Sequence, residues 1–318
     1  MSTKSSPESA RKPPLALIAG PTASGKSDVA VRLALALKAQ GREGVVVNAD
    51  SAQVYADLAV LSARPSVDEM RGIDHLLFGT WDGAQACSAA DWAAEARAAI
   101  AGVHARGAVP ILVGGTGLYI RTLLDGIAPV PPIDPAVRSA VRELPAAEAY
   151  AALQAADPAR AAVLSPGDTT RLARALEVVR STGRPLADWQ AERVGGIGHA
   201  VELHAALLLP PRDWLYERCD RRFSQMIAHG ALDEVEALLA RKLDPALPVM
   251  RAIGVPELAA LLTGEMTGKE AQARGAQATR NYAKRQFTWF RNQPPREWQR
   301  IESQSYDVGA IFASILRD

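Results

Sequence analysis

The sequence of 318 residues is poor in cysteine and contains no long apolar run. Its two cysteines, Cys87 and Cys219, do not form a CxxC pair, so we expect neither a disulfide framework nor a cysteine-only metal site. No apolar run approaches the ~18 residues that a membrane helix needs. The polar start, residues 1–12, lacks the features of a signal peptide, so we predict a disordered tail and a cytoplasmic protein.

The chain also lacks a strong net charge. A net charge of +1 excludes a protein coated in positive charge for nonspecific nucleic-acid binding. The charge is nevertheless uneven, because the segment 269–300 contains eight basic residues and two acidic ones. This segment is a candidate surface for binding a polyanion.

Short apolar runs alternate with longer helical patterns in the first half of the chain, which predicts an α/β fold with a parallel sheet. The runs end in small polar clusters at 20–27, 48–53 and 114–117. Because ligands bind beyond the carboxyl ends of parallel strands, we expect these clusters to line one crevice. The predicted strands are 15–19, 44–48 and 109–113, and the predicted helices are 27–40 and 89–106.

Four prolines between residues 128 and 135 interrupt this pattern and indicate a boundary. Residues 135–190 are predicted to be helical, three glycines follow near residue 196, and 204–209 is predicted to return to the sheet as a strand. From residue 214 onward the pattern is helical. We therefore predict a P-loop NTPase-like parallel core, residues 13–128 and 200–318, with an all-helical insertion at 129–199.

A phosphate-binding P-loop is predicted between the first strand and the first helix. Its glycines allow backbone N–H groups to face phosphate oxygens, Lys26 adds a charge, and Ser27 can reach a Mg²⁺ ion. The alternative is a glycine-rich turn capped by a serine. The P-loop residues are Gly20, Pro21, Thr22, Ala23, Ser24, Gly25, Lys26 and Ser27.

Two polar residues follow the other predicted strands. Asp50 comes just after the second strand, where it can hold Mg²⁺ or accept a proton, although Asp50 and Ser51 can instead cap the next turn. Thr116 lies in a glycine-rich turn after the third strand. This turn fits either a close approach of backbone to ligand or a tight turn with Thr116 as helix N-cap.

Basic residues mark two further segments. Arg218, Arg221 and Arg222 precede a predicted amphipathic helix, where they can neutralise a leaving phosphate group or simply solvate the helix. In 274–291 an apolar stripe lies beside a basic one, and Tyr282 or Trp289 is available to stack on a base. The alternative is a solvated surface helix. The apolar stripe is Ala276, Thr279, Ala283, Phe287 and Phe290, and the basic one is Arg280, Lys284 and Arg291.

Together these segments resemble the bacterial tRNA dimethylallyltransferase family. The resemblance spans residues 15–294. It rests on the sequences GPTASGKS (20–27), NADSAQVY (48–55), VGGTGLY (113–119), TGRPL (182–186), RAIG (251–254) and YAKRQFTWFR (282–291).

The resemblance implies transfer of a dimethylallyl group from dimethylallyl diphosphate to N6 of the adenosine immediately 3′ of the anticodon, position 37, in tRNAs that read codons beginning with U. The P-loop then holds the diphosphate of the donor. Asp50 takes the N6 proton, and Lys26, Ser27 and Mg²⁺ stabilise the departing diphosphate. Thr116 matches the position that contacts the target base, and Arg218 and Arg222 match basic positions near the diphosphate.

The resemblance also implies a set of tRNA contacts. We predict no zinc, because the sequence lacks the Cys/His finger of eukaryotic relatives, and nothing requires more than a monomer. Thr170 stands where the family has glutamine, and Val255 where it has tyrosine, which puts individual contacts in doubt. The implied tRNA contacts are Asp50, Ser51, Ala52, Gln53, Thr116, Arg138, Thr170, Arg171, Leu172, Ala173, Arg174, Arg251, Ala252, Ile253, Gly254, Lys284, Arg285, Gln286, Phe287, Thr288, Trp289, Phe290 and Arg291.

Without the resemblance, the residues themselves favour a P-loop kinase that phosphorylates a nucleoside or small metabolite, with Asp50 as base. The basic helix fits that hypothesis poorly. A regulatory nucleotide-binding module without chemistry is a third hypothesis, and the placement of Asp50 beside the loop disfavours it.

Overall fold

The computed structural model describes residues 11–317, so most of the predicted tail, residues 1–10, lies outside the described residues. Six parallel strands form one sheet in the order β3-β2-β4-β1-β5-β6. The strands are β1 (Pro14–Ala19), β2 (Gly44–Asn48), β3 (His75–Leu76), β4 (Val109–Gly114), β5 (Glu202–Leu208) and β6 (Gln299–Ile301).

Three strands, β1, β2 and β4, are almost entirely apolar because both faces of the sheet are covered, and only Asn48 at the end of β2 is polar. Every residue of β2 and β4 is buried, as are the last five of β1. The apolar core against them includes Leu33 and Leu37 of the first helix and Phe312 near the end of the chain. This packing fixes the carboxyl ends of β1, β2 and β4 side by side, so the loops that follow them are neighbours.

Helices make up most of the remaining chain, and several begin at a side-chain cap. Ser88, for example, caps α3 and exchanges hydrogen bonds with Asp91 in a capping box. The helices of the first half are α1 (Lys26–Ala39), α2 (Val67–Met70), α3 (Ala89–Ala105), α4 (Gly117–Asp125), α5 (Pro135–Glu143), α6 (Ala146–Ala156), α7 (Pro158–Val163) and α8 (Thr169–Thr182). They are followed by α9 (Leu186–Ala191), α10 (Arg212–Ala228), α11 (Ala231–Ala240), α12 (Val255–Leu262), α13 (Gly268–Asn292), α14 (Val308–Ile311) and α15 (Ala313–Leu316).

The chain divides into two compact units. The sheet unit combines the segments on either side of the second unit, Leu124–Ile197. The second unit contains α5 to α9 around its own apolar core, in which Leu153, Leu172 and Leu176 are fully buried. A buried carboxylate, Glu177, pairs with Arg142 at 3.0 Å inside this unit. This unit therefore has a core of its own, separate from the one that covers the sheet.

The predicted α/β architecture with a parallel sheet is confirmed, and so are strands β1, β2, β4 and β5 and the helical stretch from residue 135 to 191. The prediction of helix alone from residue 214 onward is wrong at β6, a three-residue edge strand too short to produce a pattern. Arg218, Arg221 and Arg222 lie inside α10, not before it, because the helix already begins at Arg212. No helix within residues 11–317 is long and apolar enough to cross a membrane.

Candidate active site

The P-loop connects β1 to α1. Gly25 adopts φ 91°, the left-handed conformation that favours glycine, as the loop turns into the helix. Lys26 is buried, and its Nζ donates to the Pro21 carbonyl at 3.3 Å, so the side chain folds back over the loop. Ser24 is also buried, and its Oγ has no hydrogen-bond partner among the described residues. An unpartnered buried hydroxyl in such a loop is consistent with a place for a ligand oxygen.

The electrostatics of the P-loop depend on Lys26. Burial lowers the pKa of Lys26, the Asp50 carboxylate opposes this effect, and the positive charge of Arg222 adds to it, so that the pKa lies at about 8. An incoming anion compensates the cost of burying this charge. A bound phosphate group would therefore stabilise the charged form of Lys26.

Asp50 follows β2 and is 7% exposed. Asn48 holds its backbone from both sides: Oδ1 accepts from the Asp50 N–H at 2.8 Å, and Nδ2 donates to the Asp50 carbonyl at 3.0 Å. One carboxylate oxygen, Oδ1, accepts from the Ala52 N–H at 3.0 Å. Asp50 thus caps a turn, as one of the two interpretations of the sequence predicts, and it also lines the cavity described below.

Thr116 connects the end of β4 to the end of β2. Its Oγ1 accepts from the Ser51 N–H at 2.9 Å and donates to Ser51 Oγ at 3.2 Å, and these bonds do not cap α4. Gly114, two residues earlier, allows the loops to approach, because a Cβ there would lie 2.1 Å from the Ala49 carbonyl oxygen. Thr116 directly precedes α4, and its carbonyl accepts from the Ile120 N–H at 3.2 Å, so the tight strand-to-helix turn is observed, and the close approach to a ligand stays a prediction.

Two arginines of α10, one turn apart, reach the P-loop. Arg218 Nε donates to the Ala23 carbonyl at 2.8 Å. Arg222 donates to Thr22 Oγ1 at 3.4 Å and to the Ala63 carbonyl at 3.3 Å, and burial lowers its pKa. Arg221 is exposed, as the solvating alternative predicts for an arginine on the outer face.

A cavity of about 320 Å³ opens beside these groups. Thr22, Asp50 and Arg222 line it, and so do several buried or half-buried apolar side chains, which form an apolar wall. Sequence reasoning missed this wall, although its α10 residues follow a helical spacing that is visible in the sequence. The apolar lining includes Leu58, Leu61, Phe223, Met226 and Ile253.

The segment 251–254 and part of α13 also reach this cavity. Arg251, Ala252 and Ile253 line it, and Gly254 begins α12. Arg285 of α13 lines it as well and is exposed to solvent. On the outer face of the same helix three predicted residues are exposed, namely Lys284, Thr288 and Arg291.

The helical unit holds the remaining predicted residues. Arg138, Thr170, Arg171 and Arg174 are exposed and Ala173 is half-buried. Arg174 lies 3.9 Å from the buried Glu177, which also pairs with Arg142. The second unit thus carries a small basic cluster partly neutralised by one carboxylate.

Five predicted tRNA contacts have side chains that face inward, and we correct them as such. Leu172, Phe287 and Phe290 belong to apolar interiors. The Gln53 amide donates to the carbonyls of residues 62 and 63, and the Gln286 amide is bonded inside the protein. These side chains are occupied by packing and by internal hydrogen bonds, so they are not available to RNA.

The part of the chain after the P-loop matches a known family. Residues 53–293 match the model of the family described as IPP transferase. The chain is 65% identical to the tRNA dimethylallyltransferase of Erythrobacter litoralis, over 96% of each chain. It is also 65% identical to the tRNA dimethylallyltransferase of Sphingopyxis alaskensis, over 96% of this chain and 98% of the relative.

Two solved structures are similar over most of the chain. The tRNA isopentenylpyrophosphate transferase of Bacillus halodurans is 32% identical with a TM-score of 0.68, and the similarity covers 96% of this chain and 95% of that one. A eukaryotic dimethylallyltransferase acting on tRNA is 28% identical with a TM-score of 0.74, covering 87% of this chain and 70% of that one.

Proposed function

The chain belongs to the IPP transferase family, and from that premise we propose that it transfers a dimethylallyl group from dimethylallyl diphosphate to N6 of an adenosine in tRNA, releasing diphosphate. The acceptor we propose is the adenosine immediately 3′ of the anticodon, position 37, in tRNAs that read codons beginning with U. The product is N6-(dimethylallyl)adenosine.

The observation that carries this proposal is the composition of one cavity. A carboxylate, a P-loop residue and an arginine line it together with a group of apolar side chains. A phosphate group suits the charged and polar lining, and a short branched hydrocarbon suits the apolar side chains. A prenyl diphosphate combines these two parts in one ligand.

The reaction uses the Asp50 carboxylate as base. The N6 nitrogen forms a bond with C1 of the dimethylallyl group, the C1–oxygen bond to diphosphate breaks, and Asp50 accepts the N6 proton. Lys26 and Arg222 stabilise the negative charge that develops on the departing diphosphate. We assign the contact with the base to Thr116, whose hydroxyl accepts a hydrogen bond from the loop that follows β2.

Mg²⁺ is the cofactor we propose. The half-buried Ser27 hydroxyl is a hard oxygen donor of the kind Mg²⁺ prefers, and diphosphate oxygens supply further ligands. The unpartnered Ser24 hydroxyl supports a P-loop built to receive an oxygen-rich ligand. When bound, the ion supplies positive charge to the leaving diphosphate.

The exposed basic face of α13 supports RNA as the partner. Lys284, Arg285 and Arg291 each present one charge to solvent, and phosphate contacts of this kind supply most of the affinity for RNA. We propose that the protein acts in the cytoplasm, as a monomer and without zinc. One chain suffices, because its described residues supply every side chain named above.

A transfer assay tests the proposal. The protein is incubated with Mg²⁺, labelled dimethylallyl diphosphate and unmodified tRNA, and the label in the RNA is measured, with tRNA carrying guanosine after the anticodon as control. We expect label only in the adenosine-bearing tRNA. No transfer, together with phosphorylation of a nucleoside or metabolite by ATP, would establish the kinase instead.

A further inference from the structure

Helix α13 turns three side chains toward the loops that form the cavity. Tyr282, Gln286 and Trp289 are spaced four and three residues apart, so they share one face of the helix. Tyr282 lines the cavity, as Ser51 of the loop after β2 does. The Trp289 ring lies against the start of α4, where a Cβ on the glycine at position 117 would lie 2.5 Å from it.

Gln286 occupies the middle of this face and is 6% exposed. Its Oε1 accepts from the Thr22 N–H at 2.8 Å, and its Nε2 donates to the Gly115 carbonyl at 2.8 Å. The partners fix the orientation of the amide, because one requires an acceptor and the other a donor. A single side chain therefore ties the P-loop to the end of β4.

This tie bears on the diphosphate site. Backbone N–H groups of a P-loop bind phosphate only if the loop keeps its shape before the ligand arrives, and such preorganisation lowers the cost of binding. Thr22 lines the cavity and also accepts from Arg222, so its position sets the geometry of both. Gln286 holds that position through its bond to the Thr22 N–H, and its second bond, to the Gly115 carbonyl, anchors the amide itself.

We propose that Gln286 is a positioning residue that holds the P-loop against the end of β4 and thereby sets the affinity of the site for the diphosphate of the donor, without touching RNA. The inference rests on the proposed function for the identity of the diphosphate ligand. Its neighbours Lys284, Arg285 and Arg291 are exposed, whereas Gln286 faces the interior with both ends of its amide bonded there.

Gln286→Met removes both hydrogen bonds and keeps the side-chain length. Binding of inorganic diphosphate is measured by calorimetry, and binding of unmodified tRNA by filter retention. We expect the Kd for diphosphate to rise about ten-fold or more, kcat/KM for the donor to fall by a similar factor, and the Kd for tRNA to change less than about two-fold. Gln277→Met, the same change at an exposed position of α13, is the control and leaves all three unchanged.

Gln286→Glu separates positioning from damage to the fold. A protonated glutamic acid reproduces the amide, because its carbonyl accepts from Thr22 and its hydroxyl donates to Gly115. The ionised form instead faces the Gly115 carbonyl with a negative charge. We therefore expect the ratio of variant to unsubstituted activity to be low at pH 8 and to recover as the pH falls toward 6. Gln277→Glu, with its exposed carboxylate, has a flat ratio.

The proposal is overturned if Gln286→Met keeps the diphosphate affinity of the unsubstituted protein, or if it weakens tRNA binding instead. A flat pH ratio for Gln286→Glu overturns it as well, and this profile decides the matter if the methionine variant does not fold. If the unsubstituted protein transfers no prenyl group, the proposed function fails by itself, and the diphosphate affinities of the two methionine variants still decide the role of Gln286.

Discussion

The hydroxyl of Thr116 accepts a hydrogen bond from the backbone N–H of Ser51 at 2.9 Å. The two residues follow different strands, β4 and β2, so this bond connects two loops of the cavity. Removing the acceptor leaves the N–H without its partner in a half-buried position. Through this hydrogen bond Thr116 has a structural role, in addition to the contact with the base that the resemblance implies.

Thr116→Val should therefore weaken both the fold and the reaction. We expect the free energy of unfolding in urea to fall by about 1–3 kcal/mol, because an unpaired N–H costs that much, and kcat/KM for tRNA to fall with it. Thr116→Ser keeps the acceptor and is the control. Equal unfolding curves for the valine and serine variants would contradict the role of this hydrogen bond.

Asp50→Asn tests the base. The asparagine Oδ1 still accepts from the Ala52 N–H, so the turn is kept while the proton acceptor is lost. We expect the rate of transfer under single-turnover conditions to fall by about 10²–10⁴-fold, with the affinities for diphosphate and tRNA changed only a few-fold. A variant that transfers at the unsubstituted rate would show that Asp50 only caps the turn.

The lowered pKa of Lys26 predicts how diphosphate binding depends on pH. With a pKa of about 8, Lys26 is mostly charged at pH 7 and loses its proton as the pH rises through 8. Bound diphosphate favours the charged form, so binding takes up a proton above pH 8 and the affinity falls there.

Calorimetry of inorganic diphosphate from pH 6.5 to 9.5 checks this dependence, in two buffers that differ in ionisation enthalpy to count the protons taken up. Lys26→Arg keeps its charge over this range, so its affinity should fall less above pH 8 than that of the unsubstituted protein, whereas the ionisation of diphosphate itself affects both proteins alike. Lys38→Arg, far along α1, should retain the fall. A flat profile for the unsubstituted protein would contradict the depressed pKa.

Glu234 of α11 stabilises part of the cavity wall. Its carboxylate accepts from three successive backbone N–H groups, those of Ala59, Val60 and Leu61, the last two at 2.9 Å. Glu234→Gln turns an N–H₂ group toward one of these donors. We expect the free energy of unfolding to fall by about 1–3 kcal/mol and amide exchange of residues 59–61 to accelerate.

Glu236→Gln is the matched control for this prediction, since Glu236 is exposed on the same helix and its substitution should change stability by less than about 0.5 kcal/mol. Unchanged exchange at residues 59–61 in the Glu234 variant would mean that the loop is held by other contacts.

The sequence predicts the strands and helices that repeat a simple pattern. β1, β2 and β4 are continuous apolar runs, and the stripe of Ala276, Ala283 and Phe290 on α13 follows the helical period. The P-loop was recognisable because all its fixed positions are close together in the chain. Each of these features depends on residues that are close together in the chain, so the sequence pattern alone predicts it.

The contacts that assemble the site are not local. Gln286 bonds to residues 264 and 171 positions away, and no period distinguishes a buried glutamine from an exposed one. The resemblance assigned it to RNA together with its exposed neighbours. Glu234 was missed for the same reason, since the backbone N–H groups that it accepts from lie 173 to 175 positions away in the chain.

The order of the strands has a consequence for synthesis of the chain. β1 lies between β4 and β5, and the register pairs Leu17 with Leu112 on one side and with Ala205 on the other. The second neighbour emerges from the ribosome only after the whole helical unit, Leu124–Ile197. Until then one edge of β1 has unpaired backbone groups, and such an edge can pair with the wrong chain. The length of the insertion therefore sets how long the edge of β1 stays unpaired during synthesis. A chaperone that covers strand edges would protect β1 during this interval.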